Sequence, residues 1–79
     1  MSIDLKNKRI VISAGGSGIG WSSAKIFLEK GATVYLCDIN ATFLNKCKKH
    51  KLNNKKLFVF QCDVSDENQV KNFFSKVLK

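Results

Sequence analysis

Short apolar runs alternate with longer amphipathic ones three times along the chain, the pattern of strands alternating with helices. The first run, Arg9 to Ser13, has an Ile-Val-Ile centre that predicts a strand buried on both faces. Glycines end it. From Ile19 to Lys30 the period becomes helical, because Gly20, Ala24, Phe27 and Leu28 fall on one face. Gly20 lies one turn in, where a missing side chain lets a helix sit close on a sheet. Gly31 predicts the stop, since glycine takes the left-handed conformation of a C-cap without a Cβ penalty. A second strand is expected at Thr33 to Cys37, β-branched and aromatic, ending at Asp38. Asn40 is a candidate cap for a helix from Ala41 to about Lys51, whose apolar face is thin: Phe43, Leu44 and Cys47. Asn53 and Asn54 mark a turn. Leu57 to Gln61 predicts the third strand, which closes at Cys62-Asp63-Val64. Ser65 is the expected N-cap of the last helix, with Asp66 and Glu67 in its first turn. Val70, Phe73, Phe74, Val77 and Leu78 form one stripe and read as core.

The alternation predicts a parallel α/β unit without repeats or linkers. At 79 residues there is room for one small domain, which buries only about 60% of its unfolded surface and has a thin stability margin. No stretch approaches the roughly 18 apolar residues of a membrane span. Met1 to Arg9 lacks the apolar core of a secretory signal, so a cytoplasmic location is the expectation. Cys37, Cys47 and Cys62 are odd in number and lack the close spacing of metal or redox motifs, which predicts buried neutral thiols and no metal. His50 sits among lysines and reads as a solvated imidazole.

The net charge of +8 raises the question of an acidic partner. Six of the fourteen basic residues lie between Lys46 and Lys56, but Arg9 is the sole arginine and no aromatic interleaves the run. Arginine forks and stacking rings are what nucleic-acid surfaces use, so a solvated helix end is the better reading.

Candidate chemistry lies between the first strand and the first helix, in Ser13-Ala14-Gly15-Gly16-Ser17-Gly18-Ile19-Gly20. A helix's first amides lack internal partners and its dipole favours negative charge, while bare glycines admit a pyrophosphate to the backbone. Tight turns need glycines too, so this turn is ambiguous by itself. Asp38 adds weight: it ends the second strand, twenty residues after Gly18, the offset expected of a ribose-binding acid. Taken alone it could equally be a strand-end or capping aspartate.

The glycine-rich segment resembles the Thr-Gly-x-x-x-Gly-x-Gly signature of the short-chain dehydrogenases/reductases, and Gly18, Ile19 and Gly20 match its end. Asp38 fits that family's acidic position after the second strand, and Asp63-Val64 resembles its Asp-Val pair after the third. The resemblance covers nearly the whole chain and implies the N-terminal βαβαβα portion of a Rossmann-like doubly wound sheet. It implies a cofactor site in which Ala14, Ser17, Gly18, Ile19 and Gly20 approach the pyrophosphate and ribose, Asp38 holds the adenosine ribose, and Asp63 and Val64 frame adenine. NAD is the cofactor implied, since neither Ser17 nor Ile39 is the basic residue that NADP-preferring members place there. Ala14 departs from the family by replacing the first glycine, which narrows the approach. The family's catalytic Ser, Tyr and Lys have no counterparts. The sole tyrosine, Tyr35, lies inside the second strand and is followed four residues later by Ile39, not lysine. The expectation is therefore a partial NAD(P)-binding domain over residues 1–79, truncated before its catalytic half, with that half or another subunit as partner. The alternative is a stand-alone non-catalytic module that binds an adenine nucleotide or another subunit.

Overall fold

A computed structural model of the chain describes residues 4–13, 18–49 and 55–78. Among these, strands and helices alternate as β1 (Arg9–Ser13), α1 (Gly18–Glu29), β2 (Thr33–Asp38), α2 (Ala41–Lys48), β3 (Leu57–Gln61) and α3 (Glu67–Val77). The strands form one parallel sheet in the order β1-β2-β3. Leu36 is matched to Ile12 on one side and Val59 on the other, and Asp38 to Gln61.

Successive strand residues point to opposite faces, and the sheet sorts its side chains accordingly. Ile10, Ile12, Val34, Leu36, Leu57 and Val59 pack against α1 and α2 through Ala24, Trp21, Phe27, Leu28, Phe43, Leu44 and Cys47. Tyr35, Cys37 and Phe60, with Cys62 just beyond β3, pack against α3 through Val70, Phe73 and Val77. The result is a three-layer α/β/α unit with β2 at its centre, where Val34 and Leu36 are fully buried. No helix among the described residues is long and apolar enough to cross a membrane.

Each helix end is held by a specific group. Gly31 takes φ +95° after α1, and its N–H donates to Leu28 O while Ala32 N–H donates to Phe27 O. These two bonds are a Schellman motif, which turns the chain sharply into β2. Lys56 Nζ donates to Gly31 O at 3.1 Å, so one lysine of the basic run serves the exit of this helix. Asn40 caps α2 by accepting from Phe43 N–H. At the far end of α3, Arg9 Nη1 donates to Val77 O at 2.7 Å, tying the last turn to the start of β1.

Four expectations change. β1 is not buried on both faces: Ile10 and Ile12 are half-buried, whereas Arg9, Val11 and Ser13 are exposed, because β1 is an edge strand here and α3 lies over β2 and β3. α2 ends at Lys48, about a turn early, at the point where its apolar face runs out; Asn53, Asn54 and His50 lie outside the described residues. Asp66, not Ser65, caps α3 by accepting from Asn68 N–H and Gln69 N–H. Within the α3 stripe, Phe73 and Val77 are buried, but Phe74 and Leu78 are exposed, since three strands present too narrow a surface to cover them.

All three cysteines are buried and free. Burial, reinforced by the neighbouring Cys62, pushes the Cys37 thiol up to about 11, so it stays neutral. This contribution to stability is complete below the ordinary value of 9.0 and is lost as pH rises through about 11.

The Arg9 cap can be tested directly. Arg9→Ala leaves a helix-end carbonyl without its charged donor, a cost of about 1 to 2 kcal/mol at this partly exposed site. The expected fall in Tm is about 4 to 8 °C per kcal/mol for a domain of this size. An unchanged Tm in a thermal melt would show that α3 is held by its apolar face alone.

Candidate functional site

Parallel strands all end on the same rim of their sheet, so the segments after β1, β2 and β3 converge there. α1 begins on this rim with Gly18, Ile19 and Gly20. A Cβ built at Gly18 meets no atom within 4 Å among the described residues, so none of these requires glycine there. Ala14 and Ser17, the other two candidates of this turn, lie outside the described residues.

Asp38 is the last residue of β2 and is only 2% exposed. Its Oδ1 accepts from Asn40 N–H at 2.9 Å, and its main-chain carbonyl accepts from Cys62 N–H at 3.0 Å. The second bond extends the ladder past the end of β3 and draws the Cys62-Asp63 segment alongside. Asp38 also acts on α2: burial first, and then the negative charge of Asp38, raises the Cys47 thiol. Gln61 Nε2 donates to Ile39 O at 3.1 Å, a second tie between the loops that follow β2 and β3.

Asp63 is held at both its main chain and its side chain. Its N–H donates to Gln69 Oε1 at 2.8 Å. Its Oδ1 accepts from Ser65 Oγ at 2.6 Å and Ser65 N–H at 2.9 Å. The Ser65 hydroxyl, then the Ser65 amide, hold the carboxyl below the usual aspartate value, so it is an acceptor at neutral pH. This also explains the changed cap of α3: the Ser65 hydroxyl is spent on a carboxylate, a stronger bond than a neutral cap.

Three large aliphatic side chains flank these acids. Ile19, Ile39 and Val64 are 80%, 61% and 60% exposed. The rim therefore combines the start of a helix, two carboxylates and exposed apolar side chains. Tyr35 takes no part: it stacks on Phe58 on the α3 face, ring centroids 5.3 Å apart. Sequence reasoning missed Gln61, Gln69 and the new role of Ser65. The spacing Asp66-x-x-Gln69 was the available signal for Gln69, since an N-cap followed by a glutamine three residues on marks a capping box.

The family profile described as short chain dehydrogenase matches residues 8–79. Among individual proteins, the chain is similar to the uncharacterized oxidoreductase YxbG of Bacillus subtilis (strain 168). The two are 36% identical over 74 residues, which make up 92% of this chain and 27% of that protein. A short chain dehydrogenase from Mycobacterium smegmatis has a similar fold, with a TM-score of 0.81 at 26% identity, covering 96% of this chain and 35% of that one. A 4-hydroxyisoleucine dehydrogenase complexed with NADH is similar at a TM-score of 0.71 and 38% identity, over 90% of this chain and 28% of its own. The chain thus spans roughly a third or less of each of these relatives.

Ser65→Ala removes the bond that contributes most to the low Asp63 value, and the carboxyl should move back up toward the ordinary 3.8. Because the value is depressed in the folded chain, the stabilisation it carries is present above the ordinary aspartate range and is lost as pH falls through the lowered value. A carboxyl-carbon NMR titration reads the shift. An identical midpoint in the variant would remove Ser65 as its cause.

Proposed function

Because this chain belongs to the short-chain dehydrogenase family, whose profile takes in residues 8–79, we propose that it forms the adenosine-binding portion of an NAD-dependent oxidoreductase. The observation that carries this reading is the gathering of the glycine-led start of α1, the Asp38 end of β2 and the Asp63-Val64 segment on one rim. The similar 4-hydroxyisoleucine dehydrogenase holds NADH, which supports the choice of cofactor.

In this reading the pyrophosphate lies at the N-terminus of α1, against the turn that contains Ala14 and Ser17 and against Gly18, Ile19 and Gly20. Free amides and the helix dipole supply the attraction there. Asp38 accepts from the adenosine ribose hydroxyls and, being negative, repels a 2′-phosphate. Its burial means that the hydroxyls must take bonding positions now held by the protein, which makes the site selective for groups that donate well. Asp63 and the Val64 amide meet the edge of adenine. NAD bound here supplies hydride chemistry at its nicotinamide end. The chain's own part is to grip the other end.

No residue here is proposed to be catalytic, since Tyr35 is committed to its stack with Phe58. The remainder of such an enzyme, or another subunit, would pack where β1, among the described residues, pairs with β2 alone and where Val11, Phe74 and Leu78 are exposed.

Two outcomes are expected. Calorimetry should show that the chain binds NAD more tightly than NADP, and Asp38→Ala should erase the preference, a change of about ten- to hundredfold for one charged hydrogen-bond partner. Equal affinity for both in the unaltered chain would count against Asp38 as the selector. The chain alone should also form no NADH from a panel of alcohols and hydroxysteroids; sustained turnover would refute the absence of catalytic groups.

A further inference from the structure

The first turn of α3 departs from the usual capping box in one bond. A glutamine at the third helical position ordinarily accepts from the main-chain N–H of the N-cap residue. Here that N–H, on Asp66, already donates to Asp63 O at 3.0 Å. Gln69 Oε1 reaches past it and accepts from Asp63 N–H at 2.8 Å instead. Its other end, Nε2, donates to Asp66 Oδ2 at 3.2 Å, which fixes which way the amide faces. Three bonds thus close a ring through Asp63, Asp66 and Gln69. The cap of α3 does not need that side chain, because Asp66 Oδ1 alone accepts from Asn68 N–H and Gln69 N–H.

We infer that Gln69 is a positioning residue that sets the base selectivity of the nucleotide site. This rests on the reading of Asp63 as the adenine contact. Asp63 Oδ1 is committed twice to Ser65, and among the described residues Oδ2 has no donor. Oδ2 is therefore the atom left to accept from the 6-amino group of adenine. An ionised carboxylate only accepts, so it matches a 6-amino donor and opposes the 6-oxo acceptor of hypoxanthine. The discrimination depends on where Oδ2 points. Gln69 fixes the main chain from which it projects, and Ser65 fixes the rotation of the carboxylate. Without the Gln69 bond, Asp63 keeps its charge, its Ser65 contacts and the bond from Asp66 N–H to its carbonyl, but its own N–H loses its acceptor on α3.

The test compares NAD with nicotinamide hypoxanthine dinucleotide on the full chain by calorimetry, in the unaltered protein, Gln69→Met and Gln69→Glu. Exchange of the Asp63 amide proton is followed by NMR. The unaltered chain should favour NAD about tenfold, the worth of one hydrogen bond. Gln69→Met should lose most of that ratio through weaker NAD binding alone, with the Asp63 amide losing its protection. Gln69→Glu keeps an acceptor for Asp63 N–H but sets a second carboxylate against Asp66 Oδ2 in place of the donating Nε2, so it should restore protection of the Asp63 amide and only part of the ratio. An unchanged ratio in Gln69→Met overturns the inference and leaves the Asp63 reading standing. Equal weakening of both dinucleotides, or unfolding of Gln69→Met by circular dichroism, shows a merely structural side chain and also overturns it. Failure of the unaltered chain to discriminate means that the adenine reading of Asp63 is itself wrong, and the inference falls with it.

Discussion

A parallel sheet delivers the end of every strand to one rim, and the arrangement of this protein depends on that constraint. β2 is laddered on both sides, and its buried Val34 and Leu36 fix its height against Leu57 and Val59 of β3. Once those apolar positions are in register, Asp38 stands opposite Gln61, and Asp63 follows two residues beyond on the same rim. The bond from Cys62 N–H to Asp38 O carries the pairing one step beyond β3, so the two loops leave the sheet as a pair. Their closeness is a property of the ladder, not of the loops.

Charge is distributed to suit. The chain carries fourteen basic residues against six acidic ones, yet three of the six acids, Asp38, Asp63 and Asp66, stand at the rim. Several basic groups are occupied elsewhere: Lys56 on the turn after α1, Arg9 on the last turn of α3, and Lys76 above the Phe60 ring. Cations at helix C-termini oppose the negative end of the dipole, and aromatic faces attract them as well. These three cations thus have structural employment at the C-terminal ends of α1 and α3. The rim is left locally acidic, where it can take hydroxyl and amino donors.

Periodicity and punctuation made most of the fold legible. Gly31 named the end of α1 because a left-handed turn there has few other solutions, and Asn40 named the start of α2 because its side chain matches a free amide. The run Leu57 to Gln61 matches β3 in both bounds. Local rules failed where partners are distant in the chain. Whether Val11 is covered depends on which strand stands beside β1, and the helical period of Phe74 and Leu78 is silent on how wide the sheet is. Around the site, Asp38 and Asp63 could be singled out by type and position, but Gln61 could not, since its partner is a carbonyl on another loop. The expectation for Ser65 fails for a related reason. A hydroxyl next to a helix start has two possible employers, and the nearer carboxylate took it.

Both β2 and the segment after β3 finish in the same dipeptide, Cys-Asp, with the thiols of Cys37 and Cys62 in the α3 core and the carboxylates on the rim. This repetition makes the strand pairing self-checking. Side chains alternate faces, so a slip of one residue would exchange the two members of each pair. A carboxylate would then enter the cluster of Phe73 and Val77, where an unpaired charge is far more costly than a misplaced methyl group. The two acids therefore act as proofreaders of assembly, penalising the nearest wrong register as the strands pair.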